Sequence, residues 1–386
     1  MTKHSTQQAS EVVVFLQPFP LGVAGGGPRI MRMLLRDPPV PILPICTSPL
    51  APGQNGELHL PIRPYLGRIE HTRFHKVVYA LAPLFRRWFV TRLEKLCRGS
   101  RAQAIHCVAH GGLDFYDAWG ISRKLQIPYF LQVHDDVEYT SGGHVSSRFI
   151  TEAWQGAAER FVVSQEMGTE YCKRYGAREF VIVTDGLEQI APSAVPGIEQ
   201  LRIYFMGLFH LGYEQNLEAL IRSLELLPAE LKSVHPPSIT LRCGSVRSSL
   251  LRPGAEVRVL PFGSEADVQA DLAGADCLYL PLHFDESDRP FAAYSLSTKM
   301  VTYLGSGIPI LYHGPTGTAA YRLLRENRAA ALATSLDPAE IARVLSDLLR
   351  PGFAHELAEN ALLLARRAFL RSEQHGKFWQ RLLAHL

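Results

Sequence analysis

The sequence predicts an α/β protein made of two doubly wound domains in tandem, and three observations carry that prediction. Short apolar, β-branched runs alternate with longer helical patterns along most of the chain. The alternation halts once, at 189–200 (QIAPSAVPGIEQ), and then restarts. The length, 386 residues, exceeds one average core and suits two domains of about 150–200 residues each.

In the first half, the runs at 11–16 (EVVVFL), 40–45, 104–109, 128–133, 160–164 and 179–183 are the candidate strands. Continuous apolar runs of this kind fit parallel strands buried on both faces. Between them, 28–36, 75–98, 113–125 and 165–175 have the spacing of crossover helices. Segment 189–200 has two prolines, a glycine and no period, so it reads as a linker. Beyond it, strands are expected at 201–206, 238–243, 256–260, 276–280, 308–312 and 329–333. Helices are expected at 213–227, 265–273, 298–306, 316–326 and 338–349, and the tail from 353 reads as helical throughout. The expected domains are therefore 1–188 and 201–352, joined by 189–200, with C-terminal helices at 353–386 whose last part packs back on the first domain.

Composition narrows the function. Hydrophobic residues make up 47% and charged residues 20%, as in ordinary globular proteins. A net charge of +3 is too small to point to nucleic acid as the main partner. Six cysteines include no C-x-x-C pair, and four sit in strand-like runs, which suits reduced, buried thiols in a cytoplasmic protein. Residues 1–10 lack the basic and apolar blocks of a secretory signal, and no apolar run reaches about 18 residues.

The most informative segment is 294–307, YSLSTKMVTYLGSG, followed by IPIL. Ser297 or Thr298 can cap a helix, Gly307 can end it, and Pro309 can open a strand. Free amides at a helix start, with Lys299 beside them, suit a diphosphate. The plainer alternative is a capped core helix with a solvated lysine.

The pattern S-x-S-T-K-M-x-x-Y-L-x-S-G-I-P-I-L resembles the donor-site helix of retaining glycosyltransferases of the GT4 family. Residues 257–281 and 204–224 are similar to the family's neighbouring segments, in the same order. The resemblance implies a GT-B fold, two Rossmann-like domains facing each other across a cleft. It implies a nucleotide-sugar donor in the C-terminal half, retention of configuration, and neither metal nor cofactor. It places Gly207, Phe209, His210, Ser295, Ser297, Thr298, Lys299 and Thr302 around the donor. Two features depart from the family. Its paired glutamates, with seven residues between them, fall at Tyr294 and Thr302, neither of which is acidic, and the basic residues after the opening glycine turn are missing.

In the first half, Gly25, Gly26 and Gly27 follow the first strand and allow close backbone approach to a ligand. Arg29 stands where it could meet an anion, and the resemblance puts the acceptor here. This is not G-x-G-x-x-G, so a nicotinamide cofactor is disfavoured. His134, Asp135 and Asp136 follow the strand PYFLQV, on the side where open α/β sheets bind ligands. By resemblance His134 meets the transferred sugar, and Asp135 or Asp136 orients it; the alternative is a turn with helix-capping aspartates. Val183 to Leu187 (VTDGL) resembles the family's P-N-G-V turn, with Asp185 in place of asparagine. Segment 75–101 mixes aromatics with Arg86, Arg87, Arg92, Lys95, Arg98 and Arg101. It could lie on an anionic membrane, at the inner face, or be a crossover helix with a basic solvated side.

The functional expectation is transfer of a sugar from a nucleotide-diphosphate donor to a glycan, lipid-linked or small-molecule acceptor. The alternatives are a nucleotide-sugar 2-epimerase of the same architecture and a non-catalytic binding protein.

Overall fold

The computed structural model describes residues 11–49, 56–63, 75–195, 197–198, 200–209, 212–229, 236–247, 256–285, 289–350 and 352–386, with the side chains of 75–83 and 289–291 outside that description. The chain divides into two compact units, 1–185 with 374–386, and 186–373.

The first unit runs β1 (Val12–Gln17), α1 (Gly26–Leu35), β2 (Ile42–Cys46), β3 (Leu58–His59), α2 (His75–Gly99), β4 (Ala102–Ala109), α3 (Asp114–Leu125), β5 (Tyr129–Val133), α4 (Val137–Thr140), α5 (Ser147–Gly156), β6 (Glu159–Val162), α6 (Gln165–Tyr175) and β7 (Val181–Ile182). Its seven strands lie in the order β3-β2-β1-β4-β5-β6-β7. Every neighbouring pair is parallel.

The second unit runs β8 (Arg202–Met206), α7 (Tyr213–Glu225), β9 (Ser238–Arg242), β10 (Glu256–Leu260), α8 (Glu265–Ala273), β11 (Cys277–Pro281), α9 (Arg289–Tyr294), α10 (Thr298–Leu304), β12 (Ile310–His313), α11 (Ala319–Glu326), β13 (Ala331–Ala333), α12 (Pro338–Leu348) and α13 (Phe353–Ala368). Its six strands repeat the same order, β10-β9-β8-β11-β12-β13. In both sheets the winding reverses beside the first strand, between β1 and β4 and between β8 and β11. Loops at the carboxyl ends of such strands diverge there and leave a crevice.

The last helix, α14 (Arg371–Leu383), returns the chain to the first unit. There the Trp379 indole N–H donates to the Leu34 carbonyl at 2.8 Å, and Gln374 accepts from the Thr184 amide at 3.0 Å. Phe378, fully buried, sits on Phe161 and Phe15 with ring centroids at 4.8 and 6.2 Å.

Several boundaries and elements differ from the sequence expectation. β3, α4, α5 and α9 were not foreseen. β3, α4 and α9 have only two, four and six residues, too few to show a period, whereas α5 carries a regular apolar stripe of Ile150, Ala153 and Trp154 that the sequence reading missed. The helix expected at 298–306 ends at Leu304 with Gly305 as its cap. Gly307 instead takes a positive φ of 75°, where a β-carbon would lie 2.6 Å from the Ser193 carbonyl oxygen. Segment 189–200 is bound to the second unit: the amides of Ala191 and Val195 donate to the carbonyls of Gly305 and Gly307 at 2.8 and 2.9 Å.

Candidate functional site

Each unit gathers its candidate residues at the carboxyl ends of strands beside its winding reversal.

In the second unit β8 ends at Met206 and the chain turns at Gly207, with φ of 104°. That left-handed backbone favours glycine, and the Gly207 amide donates to the Arg242 carbonyl at 3.0 Å. Lys299 comes from α10 to lie against this turn: a β-carbon on Gly207 would be 3.4 Å from the Lys299 Cε. Its Nζ stands 3.8 Å from the Phe205 ring centroid and 5.4 Å from that of Tyr213. No carboxylate among the described residues pairs with it. Burial, only slightly offset by the Cys243 thiol, pushes its pKa down to about 7. An ammonium on aromatic faces gains some cation–π attraction, but desolvation wins here.

The surroundings explain the placement. Ser297 caps α10 and accepts from the Met300 amide at 3.1 Å. The Tyr303 hydroxyl accepts from the Met206 amide at 3.1 Å, which ties α10 to the end of β8. Phe209, partly buried, packs edge-on against Phe205 and Tyr213, the two rings that face Lys299. The Thr302 hydroxyl donates to the Thr298 carbonyl at 3.2 Å, one turn back on its own helix. Thr298 and Ser295 are half-buried on either side of the Ser297 cap. His210 lies outside the described residues.

Sequence reading missed His283, which stands just past β11. It is buried, its ring centroid is 4.5 Å from that of Tyr213, and a β-carbon on Gly212 would collide with its Nδ1. The signal was present: a histidine two residues past an apolar strand, close to the place His134 takes directly after β5.

In the first unit Gly25 precedes α1 with φ of 143°, and no side chain caps that helix. Gly27 makes the close approach: a β-carbon there would meet the Phe19 ring at 2.6 Å and the His134 Nδ1 at 3.4 Å. Gly26 opens the helix between them. The Phe19 and His134 rings stack at 6.3 Å and 16°. The strand end after β5 thus brings His134 under the glycine turn after β1.

The neighbouring polar residues divide their work. Asp136 caps α4, accepting from the Glu138 amide at 3.1 Å, and pairs with Arg174 at 2.6 Å. Asp135 faces His110, 3.8 Å away. Arg29, expected to be open to an anion, has its guanidinium on the buried Asp185 carboxylate at 2.8 Å. The charge at Asp185, where the sequence showed only a turn residue, draws it there.

Burial pushes the His134 pKa down to about 3, helped by the charge of His110. His106, fully buried among Phe15, Phe161 and Phe378, is also pushed down to about 3, by burial and then by His134. Both imidazoles are therefore neutral at pH 7. In the unfolded chain they take up protons near pH 6.5, so the unfolded state binds more protons from there down to about pH 3. Stability is fully present above pH 6.5 and falls as pH drops, by roughly 1.4 kcal/mol per pH unit for each histidine. Urea unfolding at pH 7, 5.5 and 4.5 should show this loss, and His106→Phe should remove about half of the histidine share. A stability of the first unit unchanged across this range would overturn the reading.

Among the described residues no group of three or more histidine, cysteine or acidic side chains could hold a metal ion.

No known family's sequence profile matches the chain, and no curated protein matches it by sequence. Solved structures do match in three dimensions. Alr3699/HepE of Anabaena, in complex with UDP, superposes with a TM-score of 0.67 at 16% identity, over 96% of this chain and 99% of that one. An α,α-trehalose 6-phosphate synthase from Burkholderia multivorans gives 0.64 at 14% identity, over 97% of each chain. MurG of Acinetobacter baumannii gives 0.58 at 14% identity, over 97% and 99%. At such identities the likeness is one of fold, and the fold of this chain is that of the GT-B glycosyltransferases.

Proposed function

We propose that the chain is a glycosyltransferase that moves a sugar from a nucleotide-diphosphate donor, held by the second unit, to a glycan, lipid-linked or small-molecule acceptor held by the first. The transfer is proposed to retain configuration and to need neither metal nor cofactor.

The observation that carries this reading is Lys299. A half-buried amine without a carboxylate partner among the described residues is a costly arrangement for folding alone. It becomes favourable when an anion arrives. A diphosphate beside the Gly207 turn returns the amine to its ammonium form and takes two charges out of water together. The helix end contributes less than its sequence suggested, because α10 has only seven residues and Ser297 already takes the Met300 amide. Lys299 is thus the principal source of charge for the leaving group.

In the reaction the bond between the anomeric carbon and the diphosphate oxygen breaks, an acceptor hydroxyl oxygen bonds to that carbon, and the hydroxyl's proton passes to the departing diphosphate. Negative charge grows on the diphosphate, and a preorganised ammonium stabilises it. On the acceptor side the neutral imidazole of His134 can donate to or accept from a sugar hydroxyl, and the turn at Gly25, Gly26 and Gly27, whose lack of side chains lets Phe19 and His134 pack close, is assigned to the same group. Asp135 is assigned to the same acceptor group, through its contact with His110. UDP in the Anabaena neighbour's complex supports a nucleoside diphosphate as the ligand class.

A second reading, binding without turnover, draws on Tyr294 and Thr302. Neither supplies the carboxylate that the resemblance expects, and the Thr302 hydroxyl is engaged within its helix. One experiment separates the two. In a thermal-shift panel of UDP, GDP, ADP and dTDP sugars, one donor at about 100 times its Kd should stabilise the protein by about 2.7 kcal/mol. With an acceptor mixture, release of the free nucleoside diphosphate then marks transfer. A shift without release selects the binding protein, and no shift with any donor sinks both readings.

A further inference from the structure

β9 (SITLR) and β10 (EVRVL) alternate polar and apolar residues, unlike the apolar run of β11. Ile239, Leu241, Val257 and Val259 face the core shared with α7, so Thr240 and Arg258 turn to the other face. The register sets them beside Tyr204 of β8: Tyr204 pairs with Thr240, and Thr240 with Arg258. Neighbouring strands lie about 4.8 Å apart, so the three side chains start from a row roughly 10 Å long. α8 and the turn after it border this row, and they line it with the small residues Ala270, Gly274 and Ala275. A cavity of about 210 Å³ remains between them.

The three polar ends of the row are unspent. Tyr204 is 1% exposed, yet its hydroxyl makes no hydrogen bond among the described residues. Buried hydroxyls usually have a partner, because leaving one without is costly. Burial, and then the charge of Asp271, push its pKa up, so it stays protonated and able to donate. Thr240, half-buried, and Arg258, exposed, have no side-chain partner among the described residues either. The other charges nearby are settled. Arg242 holds both oxygens of Asp271, and Arg202 holds both of Asp276. Glu256 stands one row back on β10, about 7 Å along the strand from Arg258.

We propose that this cavity binds a small sugar phosphate, with the phosphate on Arg258 and Thr240 and a sugar hydroxyl on Tyr204. A guanidinium fork with a hydroxyl beside it suits the three oxygens of a phosphate, whereas the fork alone would satisfy a carboxylate. The neutral hydroxyl at the buried end suits the uncharged part of the ligand. The volume lies below the about 300–1,000 Å³ of drug-sized sites, which limits the ligand to about one sugar. Tyr204 and Phe205 point to opposite faces of the sheet, and Lys299 lies on the Phe205 ring, so the cavity is separate from the proposed donor group.

The test is calorimetric titration of the full chain with ribose 5-phosphate, inorganic phosphate and ribose. Ribose 5-phosphate should bind at least about 10-fold more tightly than either fragment. Arg258→Gln should weaken it about 10- to 100-fold and Tyr204→Phe about 3- to 10-fold, the usual worth of charged and neutral hydrogen bonds. Tyr204→Phe should leave thermal unfolding unchanged or raise its midpoint, since it deletes an unspent hydroxyl. Lys299→Met should leave this binding as it is. Absence of binding, or binding no tighter than that of inorganic phosphate, overturns the proposal. So does binding that survives Arg258→Gln or falls with Lys299→Met, and so does a Tyr204→Phe variant that loses stability, which would make the hydroxyl a structural partner of Asp271.

Discussion

Lys299→Met should weaken nucleoside diphosphate binding about 30- to 100-fold and, at the same time, make the second unit more stable. Hydrogen bonds to a charged group are worth about 1.5–3 kcal/mol, and in the proposed function this ammonium carries the main charge offered to the diphosphate. Calorimetric titration with the donor found in the panel gives the affinity. The gain in stability follows from the direction of the pKa shift. An amine held near pH 7 in the folded state, and near 10.5 in the unfolded chain, opposes folding most strongly below pH 7. The unfolded state binds more protons between those values, so wild-type stability should rise as pH goes from 7 toward 10.5. Methionine fills similar space without the charge. Partial exposure of the amine keeps the expected gain to roughly 1–3 kcal/mol at pH 7, and the upward slope with pH should vanish. Donor binding to the wild type at pH 8.5 should also take up a proton, visible as a buffer-dependent enthalpy. If Lys299→Met binds donor as tightly as the wild type, or loses stability, the amine is a structural group and the donor assignment falls.

The other large effect lies in the first unit. Phe378→Ala should destabilise it by about 3–5 kcal/mol, the range for truncating a buried aromatic ring. Phe378 is fully buried, and its ring lies 4.8 Å from that of Phe161, 5.4 Å from His106 and 5.4 Å from Trp379. Removing 374–386 altogether should go further: it uncovers Phe15 and takes away the bonds to Leu34 and Thr184. Urea titrations of the full-length variant should show one transition moved and the other in place. Loss of less than about 1 kcal/mol would mean that the sheet face is covered by something other than α14.

Much of the fold was legible because its signals are local. Continuous apolar runs such as VVVFL at β1 and CLYLP at β11 need both faces buried, which forces parallel strands with helical crossovers. The glycine turn before α1, the His134 strand end and the lysine of α10 were each readable as residue types at the ends of predicted strands and helices. What was not readable is how charges pair across distance. Arg29 finds Asp185, 156 positions along the chain from it, only because α1 and the strand end after β7 meet in the fold. Thr302 turns its hydroxyl to its own helix, a choice made by rotamer and not by sequence pattern.

By itself, then, the sequence determined the alternation of strands and helices, the restart after 189–200, and which residue types stand at the strand ends. Tertiary structure alone decided that Lys299 lies over Phe205 with no carboxylate partner among the described residues, that His106 and His134 are buried neutral, and that the last helix packs on the first unit. The physical reason is range. Hydrophobic periodicity acts over a few residues and is written into neighbours, whereas desolvation and ion pairing depend on groups that only packing brings together.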